Sequence, residues 1–412
     1  MNVTDKNQLT QVLDEKCNLI NEPQVINNVR DSKMEILRII GMILIIMHHF
    51  ACHGGWIIDS ATPVFNKYII DLFKIGGKIG VNIFVMLSGY YLVKGKFKLS
   101  KFFKLIFEVF TYSMLIYIVF LISGRITFGF DSLIKNFLPV IFYQYWFITI
   151  YIIVYLISPY INKLISQLQL KEYIILLAIL LIIQCIISVI SNNYFSYVGW
   201  FITIYMLGAF INLYGEKFLS NFKVNLIVFI LCYVIMFVFE AFLPWSIYSM
   251  NSIVCLVATI SLFSLFSLSR AKCSNRIINL IASTTFGIYL IHDNNYIRSF
   301  LWQELLKCPQ MLNSNYFVLF AFVSVIGTFV VCCLLDILRR YLIEKPITKL
   351  LKKAWIIFWY SVFKTNIKVI IAITINRNKL KLVNLSKKYL DGYSQAYIKS
   401  VKNDNFKQKM LE

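Results

Sequence analysis

Arg38 and His49 lie in one apolar stretch, Met34-Glu-Ile-Leu-Arg-Ile-Ile-Gly-Met-Ile-Leu-Ile-Ile-Met-His-His-Phe50, with ten residues between them. A guanidinium is always charged and can hold phosphate or carboxylate oxygens, whereas a neutral imidazole can accept a proton or act as a nucleophile. On a helix, eleven steps of about 1.5 Å put the two groups on one face but ~16 Å apart, so they mark the two ends of a route rather than one contact. Ionisable groups at bilayer depth are costly and mark function by default. The chain has four histidines, and three fall in His48-His49-Phe-Ala-Cys-His53; the fourth is His292. His49 and His53 have the four-residue spacing that brings two helical ligands to one ion, but the adjoining sequence does not complete a set, and no metal is expected.

The elements that must position these groups are membrane helices. Of the 412 residues, 59% are hydrophobic and 15% charged, far from soluble averages. Apolar runs near 36–53, 79–93, 102–122, 140–158, 172–190, 198–214, 224–243, 251–268, 277–293 and 316–338 read as about ten spans, an all-α polytopic bundle. The first 33 residues are polar and show no signal-peptide core, so the first span is expected to serve as the insertion signal. With both termini cytoplasmic, the inner connections carry 12 Lys and Arg, against seven outside: Lys67, Lys74, Lys78, Arg125, Lys135, Arg298 and Lys307. The net charge of +21 is then a set of inner loops facing anionic lipid, and no nucleic-acid partner is expected. Residues 34–350 form the membrane domain. The basic tail, 351–412, is expected on the cytoplasmic side, with an interfacial amphipathic helix over 354–375. The nine cysteines form no CxxC pair, and neither a disulfide framework nor a zinc site is indicated.

Alternating span directions gather His49, Asn82, Trp146, Tyr289, His292 and Asp293 toward the outer side, while Ser88 lies deeper and Arg38 near the inner edge. That level offers a base, amide and carboxylate partners and aromatic platforms suited to sugar rings. Glu240, near the outer end of the seventh span, has no partner in nearby sequence and is a further site candidate. Glu108 can pair with Lys104, and Asp336 with Arg339 or Arg340, so these acids read as structural. The inner loop Lys94-Gly-Lys-Phe-Lys-Leu-Ser-Lys-Phe-Phe-Lys104, with Lys98, Lys101 and Lys104 among its five lysines, reads by itself as a positive-inside anchor.

In this order, Arg38 and His49, the segment Gly80-Val-Asn-Ile-Phe-Val-Met-Leu-Ser-Gly89, Trp146-Phe147, Tyr289-Leu-Ile-His292 and Glu344-Lys-Pro346 resemble the acyltransferase 3 family of bacterial integral-membrane O-acyltransferases. The resemblance covers about residues 34–350. It implies a multi-pass protein of the bacterial cell membrane that moves an acetyl or short acyl group from cytoplasmic acyl-CoA to a hydroxyl of a surface polysaccharide or its lipid-linked precursor. It makes His49 the essential histidine, as general base or transient acyl carrier, and implies acyl-CoA as donor substrate with no bound cofactor. Two departures stand out: lysines replace the arginines the family places in its first inner loop, which makes Lys98, Lys101 and Lys104 the implied donor-binding residues, and Asn82 replaces an aspartate. Asn82 is therefore expected to orient through hydrogen bonds rather than to supply charge. The alternative reading is an exporter or flippase of a glycan or lipid-linked sugar.

Overall fold

The computed structural model describes residues 31–190, 195–243, 247–269, 273–347 and 350. The expectations for the first 30 residues and for the basic tail lie outside the described residues. Every regular element among them is helical. In chain order they are α1 (Ser32–His53), α2 (Val64–Ile75), α3 (Gly77–Leu92), α4 (Leu99–Ile122), α5 (Phe130–Phe137) and α6 (Trp146–Gln167). Then α7 (Leu170–Leu181) runs through a π-helical turn into the short α8 (Ser188–Ile190), followed by α9 (Tyr197–Leu219), α10 (Phe222–Phe242) and α11 (Ile253–Ser267). The last are α12 (Arg276–Ser283), α13 (Thr285–His292), α14 (Asn295–Ser299), α15 (Cys308–Met311) and α16 (Phe317–Arg339).

Seven helices among the described residues are long and apolar enough to cross a membrane. The segments expected at 79–93, 251–268 and 277–293 take a different form. They are the 16-residue α3, the 15-residue α11 and the pair α12–α13, which breaks at Thr284. At ~1.5 Å per residue, α3 and α11 reach only about 23 Å, short of a ~30 Å hydrocarbon core. Interior packing compensates for that shortness. α3 sits between α1 and α9, and α11 between α3 and α10.

The close α3–α9 crossing explains two glycines. A Cβ on Gly89 would strike the Tyr205 carbonyl oxygen, and one on Gly208 would strike that of Met86. Small residues at such crossings let membrane helices approach backbone to backbone. Local chemistry sets the ends: Asp31, Ser196, Asn221, Asn275 and Asn294 each accept a backbone N–H at a helix start. Pro159 lies inside α6 and cannot donate to the Tyr155 carbonyl; the Ser158 hydroxyl does so instead at 2.7 Å.

At the end of the bundle where α1 begins, Arg339 joins α16 to α4. Its guanidinium reaches Glu108 at 2.9 Å, Asp336 at 3.0 Å and Glu344 at 3.1 Å, while Asp336 also holds Arg340 at 2.7 Å. The expected pairing of Asp336 is present. Glu108 pairs across to Arg339 rather than along its own helix to Lys104, which bonds Glu344 at 2.6 Å. A buried carboxylate gains more from a buried arginine than from a lysine whose head is in solvent. Glu344 of the Glu-Lys-Pro element thus ties the start of α4 to the end of α16.

Candidate functional site

Four helical stripes face one another around a cavity of about 60 Å³. α1 contributes Met42, Ile45, His48 and His49; α3 contributes Gly77, Lys78, Val81 and Phe84; α6 contributes Trp146 and Phe147; and α13 contributes Phe286 and Tyr289. Met42, Ile45 and His48, Lys78, Val81 and Phe84, and Phe286 and Tyr289 repeat at three residues, close to the period of one helix face, while Trp146 and Phe147 are neighbours at the start of α6. Gly77 lets α3 lie against the imidazole of His48, which a Cβ there would meet.

His49 is tied into a directional hydrogen-bond chain. His292, fully buried, places Nδ1 2.6 Å from the carbonyl of Ile288 one turn earlier on α13. A carbonyl only accepts, so His292 Nδ1 carries hydrogen and its neutral Nε2 is a lone-pair acceptor. His49 Nδ1 lies 2.9 Å from that Nε2 and must donate to it. The tautomer of His49 follows: Nδ1 bears the proton, and Nε2 keeps the lone pair for the cavity that His49 lines. Asp293 stands 3.7 Å from His49 Nδ1, too far for a hydrogen bond but close enough to stabilise an imidazolium. Arg298 grips the same carboxylate oxygen through Nε at 3.1 Å and Nη2 at 2.8 Å. Tyr145 secures the end of α13, donating to the Leu290 carbonyl at 3.0 Å and accepting from Asn294 at 2.7 Å.

His49, Trp146, Tyr289, His292 and Asp293 thus come together as the alternating-span reading expects. Trp146, at the first position of α6, forms an aromatic wall. Asn82, the residue after Val81, is rotated about 100° from it and does not line the cavity. Fully buried, it accepts from Trp200 Nε1 at 2.9 Å and donates to the Met250 carbonyl at 3.0 Å, joining α3 to α9 and to the turn before α11. Ser88 lies deeper, where it donates to the Phe84 carbonyl and pairs with the Tyr151 hydroxyl beside a small apolar slot lined by Tyr155 and Tyr205. Glu240 has a partner that only the fold supplies, Lys74 of α2 at 2.6 Å, and does not line the cavity.

Arg38 sits near the opposite end of the unbroken α1, so the ~16 Å separation from His49 stands. Its Nη1 is 2.7 Å from Glu35, three residues back on the same face. The internal carboxylate is therefore present, and the guanidinium keeps further donor positions. Lys101 is exposed, Lys98 is half-buried with its carbonyl bonded by Tyr155, and Lys104 holds Glu344.

His49, His53 and Asp293 offer ligand atoms within 4.8 Å of one another, so folding supplies the carboxylate that the adjoining sequence did not. Two of those residues are already engaged, His49 by His292 and Asp293 by Arg298. We read the trio as a proton-handling network. Sequence reasoning missed Lys78 and Arg298, both counted as outer-loop charges. The signal for Lys78 was its spacing: with Val81 and Phe84 it forms one stripe at i, i+3 and i+6.

A family profile described as an acyltransferase domain matches residues 31–337. No curated protein and no solved structure matches the chain. The matched span runs from the cap of α1 to the last turns of α16, and so contains the cavity, the histidine pair and Arg38.

Proposed function

The chain belongs to the acyltransferase 3 family, and from that premise we propose that it is a membrane O-acyltransferase moving an acetyl or short acyl group from cytoplasmic acyl-CoA to a hydroxyl of a cell-surface polysaccharide or its lipid-linked precursor. The observation that carries this reading is that His292 occupies Nδ1 of His49, which leaves the Nε2 lone pair uncommitted by that contact on a ring lining an apolar, aromatic-walled cavity.

In the proposed reaction the acceptor oxygen attacks the thioester carbonyl carbon while His49 Nε2 takes the hydroxyl proton. The resulting imidazolium is stabilised by Asp293 at 3.7 Å, and its Nδ1 hydrogen stays on His292. Collapse of the tetrahedral intermediate breaks the carbon–sulfur bond, and the departing thiolate recovers the proton from His49. A cavity of about 60 Å³ suits a group of acetyl size better than a long chain. Trp146, Phe147 and Tyr289 provide ring faces for a sugar acceptor. Arg38 and the lysines of the connection between α3 and α4 are assigned to the donor end, where they would face the cytoplasm with the N-terminus inside.

The test is sidedness in membrane vesicles. Labelled acetyl-CoA supplied to inside-out vesicles should label the glycan, whereas the same donor outside right-side-out vesicles should not. Labelling from the outer face alone would reject the cytoplasmic-donor assignment.

A further inference from the structure

Lys78 is out of place by the usual rules for a charge inside a helical bundle. The other cations near this end of the bundle have carboxylates: Lys74 pairs with Glu240 and Arg298 with Asp293. Among the described residues Lys78 makes no hydrogen bond or ion pair, and its ammonium instead lies 5.9 Å from the centroid of the Trp146 ring. Charged groups within membrane bundles are normally paired, so a lysine left over beside a cavity points to a charge that arrives later. Tyr289 puts a second polar group on the same cavity wall. The Tyr289 hydroxyl, on a side chain 6% exposed, has no hydrogen-bond partner of good geometry, although the Asp293 carboxylate is a near neighbour.

We propose that Lys78 and the Tyr289 hydroxyl form the oxyanion-stabilising pair of this acyltransferase, holding the negative oxygen of the tetrahedral intermediate across the cavity from His49. The inference rests on the acyl-transfer reading and deepens it. When the acceptor oxygen bonds to the thioester carbon, the carbonyl π pair moves to oxygen while the acceptor proton goes to His49. The cavity then holds one new negative and one new positive charge. Asp293 answers the positive one, and Lys78 with Tyr289 answers the negative one. In a site walled by Met42, Ile45, Phe84 and Phe286, water competes little for that oxygen, so a fixed ammonium and hydroxyl are worth more than in solvent. The face of Trp146 offsets part of the cost of holding the resting lysine.

The experiment measures steady-state transfer from acetyl-CoA to one neutral and one carboxylate-bearing oligosaccharide by the purified wild type, Lys78→Met, Lys78→Arg and Tyr289→Phe. Lys78→Met should lower kcat on both acceptors by a factor on the order of 10²–10³, as loss of an oxyanion donor does elsewhere, with the KM for acetyl-CoA changed less than about threefold. Tyr289→Phe should lower kcat by a smaller factor, and Lys78→Arg should restore a measurable part. Thermal unfolding in detergent provides the folding control, and Lys78→Met should melt no lower than the wild type because the charge it removes has no carboxylate partner. The proposal is overturned if Lys78→Met keeps kcat on the neutral acceptor and loses only affinity for the carboxylated one, which would make Lys78 an acceptor-binding residue. It is equally overturned if that variant is inactive because it melts well below the wild type. If the wild type itself transfers nothing, the acyl-transfer reading fails; if it transfers normally and Lys78→Met matches it, only this inference fails.

Discussion

Asp293→Asn changes one charge and almost no shape at the centre of the site. In the structure the carboxylate faces His49 Nδ1 at 3.7 Å on one side and Arg298 at 2.8 Å on the other. With an effective dielectric constant of ~20, attraction between Asp293 and a protonated His49 is about 4.5 kcal/mol. Arg298 opposes it from beyond the carboxylate, and if it cancels about half, roughly 2 kcal/mol of imidazolium stabilisation remains. That energy exists only after His49 has accepted the acceptor's proton, so it acts on the barrier rather than on substrate binding. At ~1.4 kcal/mol per decade, Asp293→Asn should lower kcat by about 30-fold with KM values little altered. Arg298 is partly exposed, so leaving it without its carboxylate should cost little fold stability. The assay is acetyl transfer by purified protein, with thermal unfolding measured beside it. A variant that keeps kcat within threefold while folding normally would show that His49 does not become positively charged in the rate-limiting step, and the base assignment would fall.

Other consequences follow from the same geometry. Phe84 lines the same cavity as His49, so Phe84→Ala should let butyryl- or hexanoyl-CoA serve as donor at rates approaching those of acetyl-CoA; unchanged chain-length preference by competition assay would place the acyl pocket elsewhere. Gly208→Val drives side-chain atoms into the Met86 backbone at the α3–α9 crossing, and the cost of at least about 1–3 kcal/mol should appear as a lower melting temperature or loss of the monodisperse peak in detergent. Chelators should leave activity unaffected. Added Zn²⁺ should inhibit by capturing His49, His53 and Asp293, and His53→Ala should relieve that inhibition; loss of activity on chelation would instead make a metal part of the mechanism.

The parts of this site that were legible in the sequence share a physical cause. Span direction is set by hydropathy and Lys/Arg placement, so the common level of His49, Trp146, His292 and Asp293 was readable without contacts. Rotation about each helix axis was not. Asn82 sits at the right depth but is turned to Trp200, while its neighbour Val81 lines the cavity. Partners distant in sequence were likewise hidden. Glu240 has Lys74 because α2, too short and amphipathic to register as a span, lies against α10. Glu108 chose Arg339 over Lys104 because burial, which the i,i+4 rule ignores, decides between the two cations. At the break, Thr284 gives both its N–H and its hydroxyl to the Ile281 carbonyl three residues back, local chemistry that an apolar run does not reveal.

The central claim is that His49 performs acyl transfer, and it is tested most directly by purified wild type and His49→Ala, matched for thermal unfolding, given radiolabelled acetyl-CoA and the host's surface glycan. Label entering the glycan as an alkali-labile ester with the wild type, and at least about 10³-fold more slowly with His49→Ala, is the predicted result, since both the base and its relay to His292 are then lost. Equal labelling by the two proteins would contradict the assignment of His49. No labelling by well-folded wild type would turn the interpretation toward glycan export.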